Sequence, residues 1–201
     1  MIYENKQIII KPFDPNTVND QYKSWFNNFE ITQYTSHCCY PKSSIDIDQF
    51  KSSCILSKDN IVWNIFVKES KPCSEALKNY NIKTLDCTTH IGNCSLQQID
   101  LINRSAEVAI IIGEKEYHGK GIGTECFKWM FEHGFNRLGL HRIYAGTAEY
   151  NKGMINVCAK SGMLLERVAR EALFINGQFQ NCIYYSILRS EWDELQKREE
   201  R

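Results

Sequence analysis

The chain has no excess of either charge: 24 Lys and Arg balance 24 Asp and Glu, for a formal net charge of +0. Without a basic surplus it carries no electrostatic footprint for nucleic acid or for an anionic membrane surface. It also lacks a long apolar run. Stretches such as VAIII at 108–112 fall far short of the about 20 residues that a membrane helix needs. The opening MIYENKQIII has no basic segment followed by an apolar one and a cleavage site, so a soluble, cytoplasmic protein is expected. Cys-x-x-Cys is missing too, although cysteines number 9; they are scattered and odd in number, with Cys38 and Cys39 the only adjacent pair. That usage excludes a secreted disulfide framework and fits reduced thiols acting as small apolar side chains. Cys87, His90 and Cys94 come nearest to a metal cluster, but no fourth ligand stands at zinc-finger spacing, and no metal is expected.

Strand and helix signals alternate along the 201 residues, with no internal repeat and no low-complexity tract. KQIIIKPF reads as a strand closed by Pro12. A helix follows from a cap at Asn16, with Val18, Tyr22, Trp25, Phe26 and Phe29 on one side, and a second helix starts with Ser44 as cap. NIVWNIFVK is a strand, residues 69–88 read as a surface loop, and HIGNCSLQQID and SAEVAIIIG form an antiparallel hairpin around LINR. A long helix then runs to Arg137 and stops at Gly139. LHRIYAGTA is a strand, a short helix is capped by Asn151 and stopped by Gly162, two strands join around Asn176-Gly177, and a charged helix ends the chain. This is one mixed α/β domain over residues 1–201, in which Trp25, Phe26, Trp129 and Phe131 are core at helical spacing.

EYHGKGIGTE, residues 116–125, sets Gly119, Gly121 and Gly123 between a strand and a helix. The backbone N–H groups of such a loop and the dipole of the helix point into one space, which suits phosphate, and Lys120 adds a cation. Alternating glycines read as bare Cα positions that make room for a ligand. Lys120 is followed by Gly121 and not by Ser or Thr, so the Walker pattern fails. The spacing and the antiparallel hairpin before it also disagree with the dinucleotide fingerprint.

HGKGIG, residues 118–123, resembles the pyrophosphate loop of the GNAT superfamily of acyl-CoA-dependent N-acetyltransferases, Gln/Arg-x-x-Gly-x-Gly/Ala, with His118 where Gln or Arg is usual. The resemblance runs over nearly the whole chain through HIGNCSLQQIDLINRSAEVAIII and AEYNKGMINVCAKSGM, and it is strongest to the RimJ/RimL-like branch that acetylates ribosomal-protein N-termini. It implies a mixed, mostly antiparallel sheet of about seven strands flanked by helices, with a splayed strand pair that holds the coenzyme. The strand at 106–112 would splay from its neighbour at a bulge, so that the backbone at Ile110, Ile111 and Ile112 pairs with the pantetheine arm and one N–H polarises the thioester carbonyl. The amides of His118, Gly119, Lys120, Gly121, Ile122, Gly123 and Thr124 would hold the pyrophosphate, and Asn151 would help to hold the coenzyme arm.

Acetyl transfer to an amine needs a base, because an ammonium has no lone pair. Glu107 matches the carboxylate that many relatives carry on this strand; otherwise it is a solvent-facing strand residue. Cys158 stands where many relatives have a Tyr, and is either the acid for the departing thiolate or a packed small side chain. Tyr34, His37 and Tyr40 lie where such folds build the acceptor pocket, whose variable loops are 30–45 and 69–88. The resemblance thus implies an N-acetyltransferase that uses acetyl-CoA and a primary amine, either a protein N-terminus or a small molecule, as a monomer or homodimer. A catalytically silent acyl-CoA-binding module and a cysteine-based redox or metal protein are the alternatives.

Overall fold

Ile8, Ile9 and Ile10 begin the first long strand, and β-branched side chains of this kind favour extended backbone because their χ1 is already restricted. The computed structural model describes residues 2–35, 39–40, 42–68 and 88–199. Its strands are β1 (Tyr3–Glu4), β2 (Ile8–Pro12), β3 (Ile61–Lys68), β4 (Thr88–Asp100), β5 (Ser105–Ile112), β6 (Arg142–Ala148), β7 (Leu164–Ile175) and β8 (Gln178–Leu188). They form one 8-stranded sheet in the order β1-β2-β3-β4-β5-β6-β8-β7. Every neighbouring pair is antiparallel except β5 and β6, which run parallel. The sheet has one strand more than the sequence suggests, and two-residue β1 is too short for alternation to reveal.

The helices are α1 (Asp20–Asn27), α2 (Phe29–Thr32), α3 (Ser44–Leu56), α4 (Ile122–Asn136), α5 (Lys152–Lys160) and α6 (Arg189–Glu199). Two helix starts differ from the sequence reading. Asn16 lies in a short 3-10 turn, and it is the Asn19 side chain that caps α1 by accepting from the Tyr22 N–H at 3.0 Å. Ser43, not Ser44, caps α3 in a capping box with Asp46, whose carboxyl is held below its usual range by hydrogen bonds from Ser43. Asn28 breaks the chain between α1 and α2 by accepting from the Glu30 N–H, which leaves Phe29 54% exposed rather than on the buried stripe. The loop predicted at 69–88 lies, but for Thr88, outside the described residues.

One face of the sheet packs on α4. Phe127, Met130 and Phe131 are fully buried there against Ile65, Leu96, Val108 and Ile143, and Trp192 of α6 closes the far side. Burying side chains of this size stabilises by roughly 1.5–3 kcal/mol each relative to leaving them in water. Strand alternation turns Asn93, Ser95 and Glu107 to the opposite face, where α1 and α3 build a smaller cluster around Tyr22, Trp25 and Ile47.

Trp25 ties α1 to the end of β5. Its indole N–H donates to Glu114 at 2.8 Å, and its ring lies so close to Gly113 that a Cβ there would stand 2.0 Å from it. Gly113→Ala should therefore push α1 off the sheet and destabilise the fold by about 1–3 kcal/mol, read as a lower urea midpoint. An unchanged midpoint would mean that α1 is not seated on this backbone.

Candidate functional site

The parallel pair β5 and β6 is joined only at Ser105 with Arg142, Ala106 with Ile143 and Glu107 with Tyr144. Beyond Glu107 the two strands part. β5 stays with β4 as far as Ile112 opposite Gly92, and β6 stays with β8 as far as Ala148 opposite Cys182. The backbone of Val108–Ile112 thus borders a wedge that has, among the described residues, no strand partner on its β6 side, an open donor and acceptor row inside a sheet. The ladder irregularity at this level lies on β4, where Gln98 has φ 49° opposite the start of the wedge, and not on β5.

At the mouth of the wedge the glycine loop leads into α4. Gly119 (φ 73°) and Gly121 (φ 83°) take left-handed backbone conformations, and a Cβ at either would meet no atom within 4 Å. Open space and positive φ together make these two the positions where glycine is required. Gly123 has a different role. A Cβ there would come within 2.8 Å of Val157, so this glycine lets α4 approach α5. Among the described residues, no side chain caps the amino end of α4 at Gly121. Beside that end is a cleft of about 510 Å³ whose lining includes Lys6, Lys120, Thr124 and Lys160 and also the carboxylate of Glu125, to which Asn5 Nδ2 donates at 3.4 Å. Lys120 sits over the Tyr117 ring at 5.0 Å, and Asn5, whose Oδ1 accepts from the N–H groups of Gln7 and Ile8, brings Lys6 into place. Uncapped N–H groups, the positive end of a 15-residue helix and three ammonium groups against the one carboxylate of Glu125 suit a polyanion. His118 is exposed, and its ring bonds the Ile112 carbonyl at 2.8 Å, pinning the loop to the end of β5.

A second cleft of about 400 Å³ opens on the α1 and α3 face, and Glu107, Ile110 and Ile111 line it together with Tyr22, Phe26 and Phe50. Glu107 is half-buried, and burial raises its carboxyl above the usual carboxylate range, partly offset by a hydrogen bond from the Gly146 backbone. Gln98 donates to Glu107 at 3.0 Å and accepts from the Tyr144 hydroxyl at 3.4 Å. β5 thus lines the carboxylate cleft and leads, through the loop that His118 pins to its end, to the amino end of α4.

The other sequence-predicted residues are less central. Asn151 caps α5, accepting from the Met154 N–H at 3.1 Å. Cys158 is 0% exposed in the α4 core, and burial pushes its thiol up to about 12; it lines neither cleft. Thr35 lines the carboxylate cleft, whereas Tyr34 does not and Tyr40 is 71% exposed; His37 lies outside the described residues. Of the conceivable metal ligands, His90 stacks on Tyr22 under α1, Cys94 belongs to the α4 core, and Cys87 is not among the described residues. Sequence reasoning missed Lys6 and Lys160, which join Lys120 only through the fold, and it missed Asn93, Ser95 and Gln97, whose alternation in NCSLQ was the available signal.

A sheet split at one parallel pair, with a glycine-built helix terminus at the mouth of the split and a carboxylate on the shared strand, is a layout that offers a long phosphate-bearing ligand a free backbone edge and an anion site together. The chain belongs to the acetyltransferase (GNAT) domain family, whose pattern matches residues 7–164. It is 34% identical over 101 residues to spermidine N(1)-acetyltransferase of Escherichia coli (strain K12), covering 50% of this chain and 54% of that protein. The chain spans about half the length of the curated relatives it matches first. The fold is similar to that of spermidine N-acetyltransferase from Vibrio cholerae in complex with CoA and spermine, with TM-score 0.74 and 23% identity over 94% of this chain and 99% of that one. It is also similar to RimL, a ribosomal L7/L12 alpha-N-protein acetyltransferase in complex with coenzyme A, with TM-score 0.75 and 16% identity over 94% and 98%.

The placement of Cys158 has a direct chemical consequence. In the folded protein its thiol should stay unmodified by iodoacetamide at neutral pH while exposed Cys39 reacts, as peptide mass spectrometry would read. Equal labelling of the two would mean that Cys158 is reachable from the wedge.

Proposed function

We propose that this protein transfers an acetyl group from acetyl-CoA to a primary amine, in a ternary complex and without a covalent enzyme intermediate. The observation that carries the reading is the wedge after Glu107, because it puts an unpaired backbone edge, a phosphate-friendly helix terminus and a carboxylate along one strand. In this reading the CoA phosphates lie against Gly119–Thr124 with Lys6, Lys120 and Lys160, and the pantetheine arm pairs with Ile110, Ile111 and Ile112. Asn151 serves as helix cap and borders the arm.

The amine enters from the cleft that Glu107 lines. Glu107 takes one proton from the ammonium, and the freed nitrogen attacks the thioester carbonyl carbon. A C–N bond forms, the C–S bond breaks, and the departing sulfur takes the second nitrogen proton. A backbone N–H of the wedge stabilises the oxyanion. Cys158 contributes packing, since a thiol at about 12 inside the core has no path to the leaving group. A CoA thiolate is a good enough leaving group to dispense with a dedicated acid. The placement of Cys158 outside both clefts is also the observation that favours a second reading, a module that binds acyl-CoA without turnover. The scattered, odd-numbered cysteines support a cytoplasmic setting.

Two variants test the two halves of the reading. Gly121→Val forces a branched side chain to φ 83° and should abolish acetyl-CoA binding by calorimetry while the protein stays folded; unchanged affinity would remove the coenzyme assignment. Glu107→Gln should lower turnover by about 10²–10⁴-fold with acetyl-CoA affinity retained. Since burial raises the Glu107 carboxyl, wild-type turnover should climb with pH through that raised value, and the limb should vanish in the variant. Full activity in Glu107→Gln would transfer the base role to another group, and no release of CoA from wild type against any amine would favour the silent module.

A further inference from the structure

The half of the sheet beyond the split presents its own surface beside Glu107. Directly opposed strand residues share a face, so the pairings of Glu107 with Tyr144, Tyr144 with Ser186 and Gly146 with Tyr184 set all five on one face. The other face, with Ile143, Ala145 and Ile187, belongs to the α4 core. Gly146 connects Glu107 to the far strands. Its N–H donates to the Glu107 carboxylate, and a Cβ in its place would stand 3.1 Å from the Tyr184 ring and 3.5 Å from Cys182 Sγ. The bare Cα therefore lets the half-buried Tyr184 ring lean over β6 beside the wedge. The Tyr184 phenol is raised above its ordinary value first by its hydrogen bond with Cys182, and the Glu107 carboxylate adds to the rise, a sign of how near the two stand.

β7 completes this surface through an irregularity. One extra residue, Glu166, stands between Leu165 opposite Tyr185 and Arg167 opposite Tyr184. A regular strand would have set Glu166 against Tyr184 and turned Arg167 to the opposite face. With the bulge, Glu166 pairs with Arg142, and Arg167 lays its guanidinium on the Tyr184 ring, 3.8 Å from the centroid. The carboxylate next to Arg167 in the chain is thus engaged elsewhere, while Arg167 itself stands exposed at the surface. A guanidinium lying flat on a ring keeps its N–H fork in the plane parallel to that ring, where a carboxylate can take two hydrogen bonds from it. Since β6 separates β5 from β8, two strand spacings, roughly 10 Å, lie between the backbones that carry Glu107 and Tyr184. An extended peptide advances about 3.3–3.6 Å per residue, so two to three residues cover that distance.

Resting on acetyl transfer at Glu107, we propose that the acceptor is the N-terminus of an acidic peptide, with an Asp or Glu at its second or third residue whose carboxylate Arg167 receives. The amine reaches Glu107 in its cleft while the rest of the chain runs across β6 to β8. Gly146 and Ser186, small residues between the two charges, leave room for a peptide backbone. The positive end of the ligand then meets a carboxylate and its negative end a guanidinium, which fixes the direction in which the chain lies. A ligand with a second cation at that distance would meet Arg167 as a like charge.

The test uses the full chain, acetyl-CoA and the tripeptide amides Ala-Ala-Glu, Ala-Ala-Gln and Ala-Ala-Lys, with spermidine as the non-peptide amine and kcat/KM followed as CoA release. Wild type should prefer the Glu peptide to the Gln peptide by about tenfold, the worth of one charge-assisted hydrogen bond, and the Lys peptide should come last of the three. In Arg167→Gln the ratio of Glu to Gln peptide should fall toward one, and in Arg167→Glu the Lys peptide should overtake the Glu peptide. Both are ratios within one variant, so they stay readable in whatever fraction folds. Equal rates for the Glu and Gln peptides in wild type, or a preference for Glu that survives in Arg167→Gln, would overturn the role of Arg167. Turnover of spermidine and of none of the peptides would overturn the peptide acceptor and leave acetyl transfer standing. No turnover of any of the four amines by protein that binds acetyl-CoA would overturn both.

Discussion

The separation of β5 from β6 after Glu107 is the constraint on which the rest of the molecule depends. A sheet gains stability from each ladder bond, so leaving Val108–Ile112 without a partner on one side must be compensated elsewhere. Compensation comes from both faces. Val108 is buried against α4, while the β6 strand keeps its own pairing with β8 through Ala148, so each half of the split is anchored before the wedge opens. The split then presents to a ligand what a closed sheet would have hidden.

The elements around the wedge share their anchors. Trp25 and Gln21 of α1 both donate to Glu114, Lys115 forms an ion pair with Glu30 in α2, and His118 bonds the Ile112 carbonyl. The wall of the carboxylate cleft and the glycine loop are therefore fastened to the same short stretch after β5. Exposed ion pairs of this sort contribute little stability, so the indole bond and the Gly113 contact carry most of the positioning. A ligand that orders the loop would also hold the wall of the carboxylate cleft.

Much of this was legible in the sequence, and the parts that were not share a physical cause. The strand alternation around Asn93 to Leu96 and Ala106 to Val108 established the hairpin and its two faces, and the paired glycines at 119 and 121 marked the positive φ values where a phosphate would sit. Local reading misjudged Gly123, because its neighbour Val157 is brought up by a different helix. It also placed the cap of α1 at Asn16, since two Asn residues near one helix start compete and the tertiary position of Tyr22 selects Asn19. Lys6 and Lys160 carry no motif of their own, and only the folding of β2 and α5 onto the end of α4 makes them a cluster. Membership of the acetyltransferase (GNAT) domain family over residues 7–164 agrees with the resemblance carried by HGKGIG.

The central claim is that acetyl-CoA occupies the wedge and uses the free edge of β5. Hydrogen exchange of the backbone amides with and without CoA tests it most directly. Binding in the wedge should slow exchange at residues 108–112 and 119–124 together, with little change in β7 and β8 away from the split. Protection confined to other parts of the sheet, with 108–112 exchanging as in the free protein, would contradict it.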